Sequence, residues 1–334
     1  MGFESSQWVW MKGKCVPWSD ATLHVSAHGL HYGSGVFEGL RCYRTADGPA
    51  VFQLDAHLKR LYASAEAYGI TIPFTRDELA EAICETICRN QFGDCYVRPI
   101  VYLGSSGLAL HPRQCPVEVV VLAWPWGAYL GNDAVERGAR ITVSPWRKFD
   151  SQMMPTTAKA CGQYLNSILA VQDAVARGFD EALLLNSDGN IAEGSGENIF
   201  LVKDGVVATN NISDGILPGV TRDCVLEIAR DLGWTVEIRS LRLADLLDSD
   251  EAFFTGTAVE VVGIAEVDGR RIGAGSRGAR TAILQRAFAG ATSGREARYR
   301  HWLHFVQNQR ATNASASKLL PDVPGPSHAG ELTR

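Results

Sequence analysis

Lysine is scarce in this chain, standing only at positions 12, 14, 59, 148, 159, 203 and 318. Lys159 lies in Thr156-Thr157-Ala158-Lys159-Ala160-Cys161-Gly162, a run of small, weakly polar residues with no other charge. Burial on such a segment disfavours the ammonium and frees a nucleophilic amine, as Schiff-base chemistry requires. The alternative is a lysine that snorkels to solvent from a helix start. Glu193 opens Glu193-Gly194-Ser195-Gly196-Glu197-Asn198, past an apolar strand and a Ser187-Asp188-Gly189 turn. The glycines let the backbone approach a ligand closely, and a carboxylate beside them can hold a positive ring nitrogen. An ordinary glycine-rich turn with solvated acids is the other reading. A nucleophile elbow is excluded, because Glu193 stands two before Ser195 where that motif needs glycine.

Two further segments suit anions. Leu217-Pro218-Gly219-Val220-Thr221-Arg222-Asp223 opens a helix whose apolar stripe is Val220, Cys224, Ile228 and Leu232. Free N–H groups at such a start attract negative charge; a plain cap has the same residues. Thr255-Gly256-Thr257-Ala258 closes the apolar strand Ala252-Phe253-Phe254 and can donate to phosphate or carboxylate oxygens. Arg60 lies about one position off the face formed by Leu58, Leu61 and Ala65. It suits a phosphate clamp or a solvated site. Arg98, inside the apolar run Tyr96-Val97-Arg98-Pro99-Ile100, needs an acid or an acidic substrate. No phosphate-binding Walker loop and no helix-opening Gly-x-Gly-x-x-Gly occurs, which argues against nucleotide hydrolysis and dinucleotide oxidoreduction. His24, His28, His31 and His57 lack zinc spacing, and no metal is expected.

These residues need elements to carry them. The pattern predicts a hairpin from Trp8–Trp10 and Ala21–Val25 around a Lys12-Gly13-Lys14 turn, then strands at 36–43 and 50–52. Asp55 is read as the N-cap of a helix that Gly69 ends, and 77–88 as a second helix. Strands follow at 96–103, 117–124, 139–144, 182–185, 199–202, 206–208 and 251–255. Helices are expected at 159–176, 221–232 and 280–289. Their order has no regular βαβ rhythm, which argues against a simple doubly wound sheet. There is no internal repeat.

The length of 334 residues predicts two domains. Hydrophobic residues at 46% and charged residues at 21% exclude wholesale disorder and fibrous repeats. A net charge of −5 and a pI of about 5.9 argue against a general nucleic-acid or anionic-membrane binder. Eight cysteines are too few for a disulfide scaffold. Cys84 and Cys88 share a helix face; with no histidine beside them, packing is preferred over metal or redox roles. The longest apolar stretch, 117–126, is far short of the ~20 residues a bilayer span needs. Residues 1–10 lack the basic and apolar regions of a signal peptide. A reduced, cytoplasmic, soluble protein is expected.

In order along the chain come Tyr32-Gly33-Ser34-Gly35-Val36-Phe37-Glu38-Gly39, Asp55-Ala56-His57-Leu58-Lys59-Arg60-Leu61, Tyr96-Val97-Arg98-Pro99 and Trp126-Gly127-Ala128-Tyr129-Leu130-Gly131. Ala158-Lys159, Glu193 to Asn198, Leu217 to Arg222 and Gly256-Thr257-Ala258 follow. Together, from about residue 8 to 305, they resemble the class IV aminotransferases, which use pyridoxal 5′-phosphate (PLP), and among them the bacterial branched-chain amino-acid aminotransferases. The resemblance implies a mixed α/β (α+β), two-domain, D-amino-acid-aminotransferase-like fold. It has a small N-terminal domain (1–124), a linker (125–133) and a larger pseudo-barrel PLP-binding domain (134–309). The 310–334 tail, polar and rich in proline, has no counterpart in the family and reads as disordered.

By the same resemblance Lys159 binds PLP covalently and then moves the proton, while Glu193 pairs with the pyridine nitrogen. Tyr164 bonds the ring hydroxyl and Leu217 packs on the ring. Arg60, the Val220 and Thr221 backbone, Gly256 and Thr257 hold the phosphate. Tyr32, Phe37, Trp126 and Tyr129 form an apolar substrate pocket. Thr257 and Ala258, with Tyr96, bind the α-carboxylate, and Arg98 takes the second carboxylate of glutamate. Leu110 reaches the pocket of a partner subunit, so a homodimer or dimer-based hexamer is implied, with no nucleic acid or membrane partner. The implied reaction converts L-leucine, L-isoleucine or L-valine plus 2-oxoglutarate to the branched 2-oxo acid plus L-glutamate. A D-amino-acid or (R)-amine aminotransferase, or an aminodeoxychorismate lyase, is the alternative on this fold. A non-enzymatic scaffold is the third reading.

Overall fold

Runs rich in Val, Ile, Leu and aromatic residues form two sheets, and helices with apolar stripes cover them. The structure, a computed structural model, describes residues 6–112, 114–126 and 136–306. The strands of the first sheet begin with β1 (Trp8–Met11), β2 (Lys14–Pro17), β3 (Gly35–Phe37) and β4 (Leu40–Thr45). They continue as β5 (Gly48–Phe52), β6 (Cys95–Leu103) and β7 (Val117–Trp124). The second sheet has β8 (Ala139–Val143), β9 (Glu181–Leu185), β10 (Ile191–Gly194), β11 (Asn198–Lys203) and β12 (Val206–Thr209). It is completed by β13 (Val236–Ile238), β14 (Glu251–Gly256), β15 (Glu260–Val267) and β16 (Arg270–Arg271). A last strand, β17 (Leu303–Phe305), returns to the first sheet. The helices are α1 (His28–Tyr32), α2 (Leu54–Ala67), α3 (Arg76–Asn90), α4 (Tyr164–Ala176), α5 (Val220–Asp231), α6 (Leu243–Leu247) and α7 (Ala279–Thr292). No helix among the described residues is long and apolar enough to cross a membrane.

The first sheet runs β17-β5-β4-β6-β7-β1-β2, with β3 paired to β6. The second runs β10-β9-β8-β15-β14-β11-β12-β13, with β16 paired to β15. The expected mixed α/β class is therefore found. α2 and α3 bury Leu58, Leu61, Leu79 and Ile83 against Val97 and Val121 of the first sheet. On the second sheet, α5 and α7 pack on Phe200 and Phe253, and Tyr43 and Phe52 of the first sheet join that core.

Four local expectations are corrected. The hairpin partner of β1 is Lys14–Pro17, with Trp10 opposite Cys15, and not Ala21–Val25. Lys12 (φ 53°) and Gly13 (φ 85°) make a two-residue turn with both residues left-handed, which matches strand twist and needs no longer loop. Gln53, and not Asp55, caps α2; its N–H donates to the Trp302 carbonyl at 2.7 Å, and Asp55 lies in the first turn. Lys159 is not helical. Its carbonyl accepts the Phe37 N–H at 3.0 Å and Ala160 bridges Val36, which keeps Lys159 and Ala160 out of the helix; a 3-10 turn at Cys161–Gln163 then leads into α4 at Tyr164. Finally, β15 is not among the expected strands. It pairs with β14 and β8 and is almost wholly buried, so it has no polar alternation to read.

Candidate active site

A cavity opens where the sheets meet. Phe37, Tyr96 and Arg98 line it from the first sheet, and Glu193, Asn198, Thr255 and Gly256 from the second. Its Lys159 is held from both sides. The Lys159 N–H donates to Ser64 Oγ on α2 at 3.0 Å, and Nζ donates to the Tyr164 hydroxyl oxygen at 2.6 Å. Burial, then the charge of Arg60, lowers the Lys159 amine to about 8, against the opposing pull of Glu38. Burial, then the charge of Glu193, pushes the Tyr164 hydroxyl up to about 12. The amine is thus partly neutral near physiological pH, while the phenol keeps its proton.

Glu193 is the penultimate residue of β10, beside the glycine turn. Its Oε2 accepts from the Leu217 N–H at 2.9 Å and from the Asn198 amide at 3.4 Å. Its Oε1 lies 2.7 Å from Lys148 Nζ. Lys148 is one of the seven lysines of the sequence, yet nothing local assigns it to the site.

Arg60 is largely buried, and its partner is Glu38. Nε and Nη2 donate to the two Glu38 oxygens at 2.6 and 2.9 Å, and Nη1 donates to the Pro218 carbonyl at 2.8 Å. His57 Nδ1 donates to the same carboxylate at 2.7 Å. Burial opposes ionisation of Glu38, but Arg60 and then His57 hold its carboxyl well below the usual range. Burial, above all, pushes the His57 ring down. A guanidinium has five N–H groups, so two remain for a ligand at the cavity wall. Across the cavity, burial and then the charge of Glu181 push Glu197 well above the usual carboxylate range.

The start of α5 supplies donors. Gly219 is its N-cap and provides no side chain to occupy the free N–H groups of the first turn. A Cβ at Gly219 would sit 1.9 Å from Asn198 Oδ1, so only glycine allows this approach. Val220, Thr221, Leu217, Gly256, Thr257 and Ala258 all line the cavity. Thr255 Oγ1 is buried there without a hydrogen-bond partner. On the other wall the Arg98 guanidinium lies 4.5 Å from the Phe37 ring centre and 5.4 Å from that of Tyr96. Trp126 packs on Tyr96 at 4.8 Å. Gly39 leaves room for the Tyr96 hydroxyl, which a Cβ there would meet at 1.8 Å.

The cavity thus gathers most residues expected from the sequence: Lys159, Arg60, Tyr164, Glu193, Leu217, Val220, Thr221, Gly256, Thr257, Ala258, Phe37, Tyr96, Arg98 and Trp126. Tyr32 is not among its lining; it is half exposed and donates to the Leu108 carbonyl at 2.8 Å. Leu110 is 82% exposed and also outside the lining. Tyr129 lies outside the described residues. A buried amine beside a phenol, a carboxylate opposite and an anion-binding helix start suit reversible chemistry at a phosphorylated carbonyl compound.

Residues 35–267 match the family described as "Amino-transferase class IV". The chain belongs to the class IV aminotransferases. This class IV aminotransferase is 43% identical over 299 residues to a branched-chain-amino-acid aminotransferase of Pseudomonas aeruginosa, covering 90% of this chain and 97% of the relative. The corresponding Escherichia coli (strain K12) enzyme is 40% identical over 307 residues, covering 92% and 99%. Among solved structures, the T.th. branched-chain amino acid aminotransferase with pyridoxamine 5′-phosphate superposes with a TM-score of 0.88 at 45% identity, covering 91% and 99%. The E. coli enzyme superposes with a TM-score of 0.89 at 39% identity, covering 91% and 100%. The fold is therefore that of the family.

Proposed function

We propose that this class IV aminotransferase is a branched-chain amino-acid aminotransferase. It would exchange the amino group of L-leucine, L-isoleucine or L-valine with 2-oxoglutarate, giving branched 2-oxo acids and L-glutamate. The observation that carries the reading is the buried Lys159 amine, 2.6 Å from Tyr164 and in one cavity with Glu193. PLP fits the residues present. The open start of α5, the unpartnered Thr255 hydroxyl and the two uncommitted Arg60 N–H groups form a cradle for a phosphate. When bound, PLP supplies a reactive aldehyde and a ring that takes up electrons.

Each side chain then has a task. Lys159 Nζ would anchor the cofactor and, when freed, would carry the proton taken from the substrate Cα. Tyr164, whose hydroxyl accepts from Nζ at 2.6 Å, would hydrogen-bond the ring hydroxyl. Glu193 would pair with the positive ring nitrogen, and Leu217 would pack on the ring face. Arg60, Val220, Thr221, Gly256 and Thr257 hold the phosphate. Phe37, Tyr96 and Trp126 would exclude water around a branched side chain, with Tyr129 and a partner's Leu110 as further members of the pocket. The Thr257 and Ala258 backbone takes the α-carboxylate. Arg98 has aromatic neighbours but no ion-pair partner among the described residues, and it awaits the second carboxylate of glutamate. The same reading makes the protein a homo-oligomer, with residues 1–124 and 134–309 as its two domains.

The visible spectrum of the purified protein tests the function. A yellow form that L-leucine converts, and D-alanine does not, is expected. Conversion by D-alanine alone moves the substrate class to D-amino acids, and no yellow form after added PLP removes the cofactor. Lys159→Ala should lose both transamination and covalent PLP.

A further inference from the structure

Two lysines line this cavity, and they keep different company. Lys159 touches a hydroxyl, whereas Lys148 touches a carboxylate. Lys148 is fixed from behind, because its N–H donates to the Leu185 carbonyl at 2.9 Å beside β9. Its side chain is 11% exposed, and its ammonium lies 2.7 Å from Glu193 Oε1. The other oxygen, Oε2, already accepts from Leu217 and Asn198. A further donor to Glu193 therefore arrives at Oε1, where Lys148 sits. Two cations that converge on one oxygen in a sheltered site repel each other more than they would in water.

We propose that Lys148 competes with the protonated ring nitrogen of the cofactor for Glu193 Oε1, and so sets how tightly Glu193 holds the ring. Lys148 is a positioning residue acting through Glu193. The inference rests on the PLP reading above. Its consequence runs opposite to that of an ordinary site residue: removing the Lys148 ammonium strengthens the hold on the ring.

The test is equilibrium binding of pyridoxamine 5′-phosphate to the full chain stripped of cofactor. This probe has the ring nitrogen but no aldehyde, so covalent capture by Lys159 does not enter. Lys148→Met should bind it about fivefold or more tightly than the unsubstituted chain does, the lower end of a typical coupling between sites. Lys148→Arg, which keeps the charge, should bind within about twofold of the unsubstituted chain, well below that coupling. Inorganic phosphate, which has no ring, should bind all three alike; a general loosening of the site would weaken it too. Cofactor-free Lys148→Met should melt below the unsubstituted chain, and the loaded forms should melt together. Should Lys148→Met not fold, Lys148→Gln makes the same comparison. Unchanged or weaker pyridoxamine 5′-phosphate binding by the neutral variant overturns the proposal and leaves the PLP reading intact. No binding by the unsubstituted chain overturns both.

Discussion

Glu38, behind Arg60 of the cavity wall, and Glu197, in the wall itself, are both buried, yet their surroundings drive them to opposite charge states. Burial alone raises each carboxyl. At Glu38 two cationic or donating side chains, Arg60 and His57, outweigh it and the acid is held ionised. At Glu197 the second influence is another acid, Glu181, and the group is driven towards its neutral form. Glu181 is itself pushed up by burial and has one carboxylate oxygen without a partner. The lesson is that depth fixes the size of the penalty, while the neighbour fixes its sign. One wall of the site is a locked ion cluster, and the other is an acid pair that favours retaining a proton.

The largest effect should come from unlocking the first wall. Glu38→Gln leaves Arg60 buried with half its partner, and stability in urea should fall by about 3–5 kcal/mol. A loss below about 1 kcal/mol, the scale of an exposed pair, would mean that Arg60 draws its stability elsewhere. Next comes a cation that lacks an acid. Arg98→Ala should lower kcat/KM for 2-oxoglutarate by about 30-fold or more, the scale of a truncated buried charge pair, and that for leucine far less. Equal losses would deny Arg98 its selective role. Third is Lys159, whose amine is lowered to about 8. Capture of PLP should slow about tenfold for each pH unit below that value and level off above it. A flat profile from about pH 6 to 9 would show that the amine is not controlled by burial. The smallest effect belongs to the second wall. Glu197→Gln mimics a protonated acid and should change stability by less than about 1 kcal/mol at about pH 4, at the foot of the ordinary glutamate range, where the acid itself keeps its proton.

The two walls also differ in pH response. Glu38 has a depressed value in the folded chain, so its contribution is present above the ordinary glutamate range and is lost as pH falls through and below it. Glu197 has a raised value, so its cost grows as pH climbs above the ordinary range. Glu38→Gln should therefore flatten the acid side of a stability profile, and Glu197→Gln the neutral side. Profiles that respond alike would dissolve the contrast.

Much of the cavity is legible in the sequence because its parts carry local marks. Lys159 stands in uncharged surroundings, Glu193 beside two glycines, Val220 and Thr221 after Pro-Gly, and Arg98 within an apolar run. What escapes is pairing over distance. Lys148 meets Glu193 from another segment, and Glu38 reaches His57 and Arg60 from the turn between β3 and β4 to α2. No spacing rule joins such residues; only the packing of α2 against the first sheet does. Elements fail for related reasons. The Lys159 segment has a composition fit for a helix, but contact with Val36 and Phe37 keeps Lys159 and Ala160 out of one. β15 is buried too completely to alternate.

One pairing has a consequence for synthesis. Leu303 stands opposite Phe52, and Phe305 opposite Ala50, about 250 positions apart in sequence. On a ribosome, β5 therefore waits with one edge bare while the entire second sheet is made. A bare edge is a template for pairing with another chain, and contacts between remote segments form slowly. Aggregation of nascent chains should thus be decided at β5, and a translation arrest just short of Leu303 would trap the chain at its most adhesive.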